Sequence, residues 1–368
     1  MFWSQLSSPL TMVLHKSANE NADIHGSIVH SNEEEYFLRV CISVIVVFTI
    51  LGSLMVCLVN MKNKDMLKSP YNVNLFHLAI TDFLVSTAIL LTPGFIFREI
   101  PSQVLGGEIF CRIISSHFLT FTTATSSIYI TVALATERWY AVSRPLEYRA
   151  KFHKKRLVCE IFTIWVLSLF ANFLLPLEVK YNPDKNSALE RCEVAKIPFV
   201  DPPIHKLLGI IQFAFKFVIP FTMNCNLYLR VLAETRKSRV LSHGIGSRHM
   251  RHNISRMAAV STLVLAFCWL PSQVFHVCYT FDLMQLNSPA HFSTIAIALI
   301  NPCLNPFIFA FHSAQYRRGF RNLFCGGYPK ENANKLRQTE NKRLDKFRHT
   351  QLSHSDPKNL SSAPSSPV

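Results

Sequence analysis

The chain has 368 residues, of which 49% are hydrophobic and 17% are charged, and its formal net charge is +15. A soluble chain of this length is expected to split into two or more domains with charged surfaces. Here the charges lie in short blocks between long apolar runs, whereas a basic nucleic-acid domain would carry them on a folded polar surface. We therefore interpret the chain as a polytopic membrane protein with no nucleic-acid partner.

Seven apolar runs are long enough to cross a hydrocarbon core about 30 Å thick, which takes roughly 20 residues as a helix. Helix is expected because a lone strand cannot satisfy its backbone polar groups in lipid. The runs cover residues 36–61, 72–97, 109–136, 157–177, 207–229, 254–280 and 289–311. The sequence therefore predicts an all-α membrane protein, a seven-transmembrane helix bundle. Proline is tolerated in membrane helices, and the runs contain Pro93, Pro176, Pro220, Pro271, Pro302 and Pro306.

The charges of the connecting segments predict the orientation. Residues 137–156 contain seven basic residues and two acids, whereas residues 178–206 contain five of each sign. Residues 1–35 contain one lysine and five acids, without a basic start or a cleavage site, so we expect no cleaved signal peptide. Because basic loops stay in the cytoplasm, the N-terminus is expected outside and the C-terminus inside.

The segments outside the bundle differ in character. We expect residues 1–35 to be an extracellular segment, 36–312 the bundle and 326–368 a disordered cytoplasmic tail, because the tail is polar and poor in aromatic residues. Residues 313–325 are predicted to form a short amphipathic eighth helix on the anionic inner leaflet, so membrane lipids are expected partners. Cys325 at its end is placed for palmitoylation, and an unmodified thiol is the alternative.

The ten cysteines form no CxxC motif or Cys/His cluster. Most lie in or beside the spans, where cysteine is usually a small packing residue. The predicted topology places Cys111 and Cys192 outside, and in an oxidising compartment two such thiols are expected to pair. Such a bond would hold the 178–206 loop over the mouth of the bundle.

Ionisable residues inside apolar runs are candidates for function by default. Asp82 and Lys216 lie near the middle of the second and fifth runs. Asp82 is the one deep carboxylate, whereas an intramembrane aspartyl protease needs two that share a proton. No Ser elbow, Walker loop, HExxH motif or internal repeat occurs. An enzyme is therefore not expected, and a channel or transporter is the least favoured class.

Several motifs follow one another in order, namely "LAITD", the Cys111–Cys192 pair, "ERW", "FCWLP" and "NPCLNPFIF". With Trp165, Pro220 and Tyr228 in the fourth and fifth runs, the sequence resembles the rhodopsin-like G-protein-coupled receptors over about residues 36–325, most of all the neuropeptide type. The resemblance implies a heterotrimeric G protein as partner, with arrestin and receptor kinases acting on the Ser- and Thr-bearing tail. It also implies a location in the plasma membrane.

The resemblance also implies roles for individual residues. The carboxylate of Glu137 would hold Arg138 at the cytoplasmic mouth until the sixth span swings outward, and Leu146 would insert into the G protein. The residues of the implied coupling switch are Glu137, Arg138, Trp139, Leu146, Tyr228, Asn305, Pro306 and Phe309. An activation switch is implied at Pro220, Trp269 and Pro271, and a sodium ion as an allosteric modulator on Asp82, Ser127, Asn301 and Asn305. No other cofactor or metal is expected.

The sequence departs from the family pattern at several positions. Phe309 stands where the family has tyrosine, and Arg251 where many members have an acid that would hold Arg138. Cys111 precedes Arg138 by two residues more than usual, so we expect a bulge or an extension in the outer third span.

The ligand is expected to be a peptide. Amine receptors of the resembled family carry an Asp in the outer third span, and this third span has no carboxylate. Opsins carry a lysine that binds retinal in the seventh span, and this seventh span has no lysine. Gln212, Lys216 and Pro220 share one helix face, so Lys216 either meets an anionic group of the ligand or is a neutral lysine bonded to Gln212 or backbone. A small anionic or lipid ligand, or an opsin-like retinal bound to Lys216, remains the alternative. The expected pocket residues are His117, Thr120, Gln212, Lys216, Trp269, Gln273 and His276.

Overall fold

The computed structural model describes residues 9–92, 95, 101, 103–185, 191–194, 197, 200–241, 245–285 and 288–324. For residues 9–32, 235–241 and 245–259 it describes the backbone without the side chains. The chain divides into two units, Met1–Tyr316 and Arg317–Val368.

The described residues form mainly helices. The first half of the chain contains α1 (Pro9–Lys62), α2 (Pro70–Leu90), α3 (Val104–Ile109), α4 (Phe118–Ser143), α5 (Pro145–Lys151) and α6 (Lys154–Asn172). The strands are β1 (Val179–Tyr181) and β2 (Cys192–Val194). The second half contains α7 (Pro202–Phe213), α8 (Ile219–Leu241), α9 (Ile245–Thr280), α10 (Pro289–His312) and α11 (Ala314–Phe324).

Seven helical segments of the described chain are long and apolar enough to cross a membrane. They are Tyr36–Lys62, Pro70–Leu90, Val104–Ser143, Lys155–Leu177, Pro202–Glu234, Thr262–Thr280 and Pro289–Phe311. The predicted seven-helix bundle is therefore confirmed. One predicted bound was wrong, because the second helix ends at Leu90 rather than at residue 97. The fourth span ends at Leu177 as predicted, although its last residues form the 3-10 turn Leu175–Leu177, which contains Pro176.

The core lies at the centre of the bundle, where several helices meet on small and branched side chains. Buried members include Ile42 of α1, Val85 of α2 and Ile128 of α4, which pack in one cluster with Trp269 of α9 and Leu299 of α10. Lipid is as apolar as these side chains, so burying them between helices gains little from the hydrophobic effect. Close packing between the helices stabilises the bundle instead. The helices thus hold the inward-facing polar residues in fixed positions.

The third span is interrupted near its outer end. A π-helical segment, Phe110–Ser115, follows α3, and the chain restarts as α4 after His117, whose φ of 58° is left-handed. A π-turn accommodates an extra residue within a helix, so the expected bulge is confirmed. A left-handed backbone is uncommon for a residue other than glycine, and such backbone strain often marks a functional site.

The fifth span has a second π-helical segment, Ala214–Val218, between α7 and α8. The hydroxyl of Tyr129 on α4 donates a hydrogen bond to the carbonyl oxygen of Phe215 at 3.0 Å. This bond ties the third span to the π-turn that carries Lys216.

The loop between the fourth and fifth spans forms an antiparallel hairpin, in which Tyr181 pairs with Cys192. Cys192 is bonded to Cys111 of the third span, which confirms the predicted disulfide. Val179 and Tyr181 pack with Cys111 in a buried cluster. The hairpin is thereby attached to the outer end of the bundle, as its position in the sequence predicted.

The helix α11 has the bounds expected for the eighth helix within two residues, and its Arg317, Arg318 and Arg321 are exposed. Its apolar residues recur at Tyr316, Phe320 and Leu323, as the sequence predicted for an amphipathic helix. Cys325 and the tail 326–368 lie outside the described residues, so palmitoylation and disorder remain predictions.

Candidate functional site

An outer cavity of about 320 Å³ lies among the outer halves of the spans, beside the hairpin residues Val179, Cys192 and Val194. Five of the seven predicted pocket residues line it, namely His117, Gln212, Lys216, Gln273 and His276. The structure places the other two, Thr120 and Trp269, in the wall of a separate inner cavity. Both side chains are buried.

Lys216 projects into the outer cavity from the π-turn and is only 8% exposed. Its ammonium donates a hydrogen bond to Oε1 of Gln212 at 3.3 Å and lies 6.0 Å from the centroid of the Phe121 ring. Nε2 of Gln212 is buried and has no hydrogen-bond partner in the described part of the chain. The predicted contact with Gln212 is therefore present, and the partner for the charge of Lys216 lies elsewhere.

Imidazole rings form much of the cavity wall. His276 meets Phe121 edge to face at 4.8 Å between ring centroids, and His291 lies 6.2 Å from His276 and 6.4 Å from His117. His291 was not predicted, because the residue stands near the outer end of its span, where a histidine is commonly an interface residue. Within the described residues, the His, Cys, Asp and Glu side chains form no group suited to hold a metal ion.

Glu178 also lines the outer cavity; the sequence places it, with Glu193 and Asp282, among the loop acids nearest to Lys216 without choosing between them. Its Oε1 lies 3.4 Å from Nε2 of His205, in the first turn of α7. Burial raises the pKa of Glu178, and the positive charges of His205 and Lys216 act in the opposite direction. Glu178 is the one carboxylate among the described residues that line this cavity.

The inner cavity is smaller, about 30 Å³, and Asp82 lies in its wall with 1% exposure. The hydroxyl of Ser127 donates to Oδ1 of Asp82 at 3.0 Å, and the amide of Asn305 donates to Oδ2 at 2.7 Å. Asn301 lines the same cavity. The four residues expected to hold sodium are thus grouped, and both carboxylate oxygens face donors, as suits an ionised group.

Trp269 packs in the bundle core, and its indole nitrogen has no hydrogen-bond partner among the described residues. Pro271 lies inside α9, two residues further on, and Pro220 lies at the start of α8 directly after the π-turn. The three residues of the predicted activation switch therefore stand at irregular or kink-prone points of two helices. Their role in activation stays a prediction.

Glu137 and Arg138 lie near the end of the third span that is expected to face the cytoplasm. Oε1 of Glu137 accepts a hydrogen bond from the Tyr148 hydroxyl of α5 at 2.6 Å, while Oε2 has no partner in the described part of the chain. The guanidinium of Arg138 lies over the ring of Tyr71, 3.2 Å from its centroid. Between Glu137 and Arg138 themselves, the described contacts include neither an ion pair nor a hydrogen bond. The charge of Arg138 still acts on the Glu137 carboxylate, so the expected lock has no direct contact here and stays a prediction.

The other predicted coupling residues surround this point or lie below the inner cavity. Arg144 and Arg230 each lie 5.7 Å from the ring of Trp139, and Leu146 of α5 is 84% exposed. Tyr228 is half-buried on α8, and Pro306 lies inside α10 next to Asn305. The side chain of Arg251 lies outside the described residues, so its effect on Arg138 stays a prediction.

Phe309, which stands where a tyrosine was expected, is buried and lies 5.7 Å from the ring of Tyr316. The amide of Asn60 on α1 donates to the hydroxyl of Tyr316 at 3.1 Å. A tyrosine hydroxyl is therefore present near this end of α10, although it belongs to the start of α11 and bonds the first span. Sequence spacing alone gave no sign of this contact.

A bundle of seven membrane-crossing helices, with an outer cavity beneath a disulfide-anchored hairpin and a buried carboxylate at its centre, defines a seven-transmembrane receptor. The model of the 7 transmembrane receptor (rhodopsin family) matches residues 52–309, and the chain belongs to this family. The resemblance seen in the motifs is thereby confirmed. Members of this family are receptors and not enzymes.

The chain is similar to several named receptors. Galanin receptor 2a of Danio rerio is 24% identical over 310 residues, covering 83% of this chain and 83% of that protein. Galanin receptor type 2 of Homo sapiens is 26% identical over 224 residues, which are 60% of this chain and 56% of that protein. Somatostatin receptor type 1 of Mus musculus is 24% identical over 312 residues, covering 83% of this chain and 76% of that protein.

Proposed function

We propose that the protein is a plasma-membrane receptor that binds an extracellular peptide in the outer cavity and activates a heterotrimeric G protein. The outer cavity carries this proposal, because it lies beneath the hairpin and gathers most of the predicted pocket residues. The similarity to galanin and somatostatin receptors supports a peptide as the ligand class. The N-terminus then lies outside and the tail in the cytoplasm, as the loop charges favour.

A small anionic or lipid ligand is the second candidate. Lys216 and Gln212 favour it, because they present a buried ammonium and an unpartnered amide to one cavity. An opsin-like use of Lys216 would require a covalent Schiff base at the same nitrogen. A peptide library and a matched library of small acids separate the first two candidates. A peptide receptor should respond to the first library, and a receptor for a small anion should respond to the second.

Activation is proposed to shift the bundle between two arrangements, one of which the agonist binds better. Glu137, Arg138 and Tyr148 lie where such a shift would be transmitted, next to the exposed Leu146 of α5. When Arg138 leaves the ring of Tyr71, its guanidinium becomes available to a G-protein helix. Leu146 is the apolar contact from the loop. Arrestin and receptor kinases are proposed to act on the Ser- and Thr-bearing tail.

A sodium ion is proposed as an allosteric modulator at Asp82. The residues fit such an ion, since the carboxylate is buried and oxygen atoms of Ser127, Asn301 and Asn305 belong to the same group. A buried carboxylate is costly unless its charge is balanced, and a cation would balance it. Palmitoylation of Cys325 and contact of α11 with the anionic leaflet are proposed on the sequence pattern.

The test is a ligand screen in cells that reads calcium and cyclic AMP together. A synthetic peptide library is expected to yield agonists on the wild-type receptor and no signal on Arg138→Ala at equal surface expression, although that variant still binds the agonist. Lys180→Ala, an exposed change on the hairpin, serves as the control that keeps signalling. Agonist responses that persist in Arg138→Ala, or ion currents in place of G-protein signals, would refute the proposal.

A further inference from the structure

The charge of Lys216 is not balanced by its nearest neighbour. The side chain is almost fully buried, and its hydrogen bond goes to the neutral amide of Gln212. A buried ammonium is costly unless an anion lies close to it. Nε2 of Gln212 adds a second buried donor without a described partner. Two hydrogen-bond donors on adjacent turns of one helix face can each bind one oxygen of the same carboxylate.

The cavity already contains one carboxylate that attracts Lys216, and it belongs to the receptor. Glu178 and Lys216 interact through their charges, and Glu178 lines the same cavity. The backbone N–H of Glu178 is bonded to the carbonyl oxygens of Leu174 and Leu175, so the origin of its side chain is fixed. His205, which also lines the cavity, lies 3.4 Å from this carboxylate.

We propose that Lys216 and the amide nitrogen of Gln212 bind a carboxylate of the ligand, that Glu178 competes with it for Lys216, and that His205 restrains Glu178. The inference rests on the outer cavity being the ligand site. It adds the chemical class of the group recognised and a residue that sets the receptor's selectivity for it. Without ligand, the negative charge of Glu178 lowers the free-energy cost of burying the ammonium of Lys216.

Competition follows from the arrangement of charges. A ligand carboxylate beside Lys216 meets attraction from the ammonium and repulsion from Glu178 in a cavity where charges are weakly screened. The repulsion falls when the negative charge of Glu178 is drawn toward His205. Removing the charge of Glu178 should therefore strengthen carboxylate binding, while removing His205 should weaken it. These opposite signs distinguish competition from a structural role, in which both changes would weaken binding.

The test uses 3-phenylpropanoate as probe and its neutral analogue 3-phenylpropanamide as control, on the purified full-length receptor in detergent micelles. Affinities are measured by saturation-transfer NMR and by the shift in Tm of the receptor. The wild type should bind the carboxylate about tenfold or more tightly than the amide, the range expected for a charge-assisted hydrogen bond. Lys216→Met should abolish the difference, and Lys216→Arg should retain part of it.

Two further variants test Glu178 and His205. Glu178→Gln should bind the carboxylate several-fold more tightly than the wild type, and His205→Ala several-fold less tightly, with binding of the amide unchanged in both. Glu193→Gln is the matched control, because Glu193 is an acid of the same hairpin bonded to Asn182, and it does not line the cavity. It should behave as wild type.

Equal binding of the two probes, no binding of the carboxylate up to 10 mM probe (about 2.7 kcal/mol of binding energy by the affinity relation), or weaker carboxylate binding in Glu178→Gln would overturn the inference. Failure here is separable from failure of the proposed function. If the receptor signals to a G protein but does not prefer the carboxylate, only the proposed carboxylate site is refuted. If it prefers the carboxylate but does not signal to a G protein, the carboxylate site stands and the proposed function is refuted.

Discussion

Asp82 has two donors and a small cavity beside it, which allows a direct test of its charge. Ser127 and Asn305 occupy one lone pair on each carboxylate oxygen and leave the others for a cation. Replacing choline by sodium at constant ionic strength should lower agonist affinity in the wild type, because the ion favours the resting arrangement. The measurement is competition binding with an agonist from the peptide screen.

Asp82→Asn should remove the sodium effect, because the amide cannot balance a cation. Asp65→Asn, an exposed change shortly after the end of α1, should keep it. An identical sodium response in the wild type and in Asp82→Asn would contradict the assignment.

Tyr148 controls where the carboxylate of Glu137 points. Because the phenol holds Oε1 at 2.6 Å, Glu137 is directed toward α5 rather than toward Arg138. In Tyr148→Phe the carboxylate loses this donor and should accept from Arg138, which favours the resting arrangement. We expect lower agonist-independent signalling, measured as basal cyclic AMP or calcium at matched surface expression.

Tyr140→Phe is the control for that variant, since its ring also packs against Phe152 and the change likewise removes one hydroxyl. It should leave basal signalling as in the wild type. A basal signal that rises in Tyr148→Phe would show that Tyr148 supports the resting arrangement instead.

Individual contacts were predictable where a motif fixes both partners. Asp82, Ser127 and Asn305 belong to motifs whose relative positions follow from the bundle, and they meet as expected. The stacking of Arg138 on Tyr71 was not predictable, because a guanidinium has several partners within reach and the sequence does not rank them. The Glu178–His205 pair was missed for a similar reason, since a loop with five acids gives no periodicity that singles out one.

At the scale of a helix, the π-turn in the fifth span has a partner in the third. A π-turn leaves carbonyl groups without their usual helical donors, and the Tyr129 hydroxyl supplies a donor to Phe215. Tyr129→Phe should destabilise the receptor by about 1 kcal/mol, the typical net value of such a bond. The measurement is the Tm of the purified receptor, which should fall.

Tyr36→Phe is the matched control for Tyr129, because Tyr36 is 72% exposed at the outer end of the first span. It should leave Tm unchanged. The same fall in both variants would show that the bond to Phe215 contributes nothing of its own.

Helix existence was predictable from the sequence, but the end of the second helix was not. Apolar length decided the seven spans, because a membrane demands about 20 such residues whatever the detailed packing. The end of α2 at Leu90 reflects a local cause, since Pro93 lacks the N–H that a continuing helix needs and apolar residues extend beyond it. Hydropathy does not reflect the missing N–H group of Pro93, so the apolar run 72–97 is longer than the helix.

At the scale of the whole molecule, the Cys111–Cys192 bond connects the hairpin to the third span across 81 residues of sequence. Cys111→Ser and Cys192→Ser should each lower the Tm of the receptor and reduce agonist binding, because the hairpin loses its attachment above the outer cavity. The model of loop closure gives a contribution of about 4 kcal/mol for a loop of this size.

The double variant should be no less stable than either single variant, since both changes remove the same bond. Cys159→Ser, at an exposed position in the fourth span, should behave as wild type. Additive losses in the double variant would mean that the two cysteines act separately.

Four side chains line the outer and the inner cavity alike, those of Ile89, His117, Phe121 and Ile295. An occupant of one cavity and an occupant of the other would therefore share contacts with the same side chains. Thermodynamic linkage then requires reciprocity: if an inner cation weakens the outer ligand by some factor, the ligand weakens the cation by the same factor. The shared wall couples ligand affinity to the surrounding cations, so one preparation would report different ligand affinities in sodium-rich extracellular fluid and in sodium-poor cytosol-like buffer.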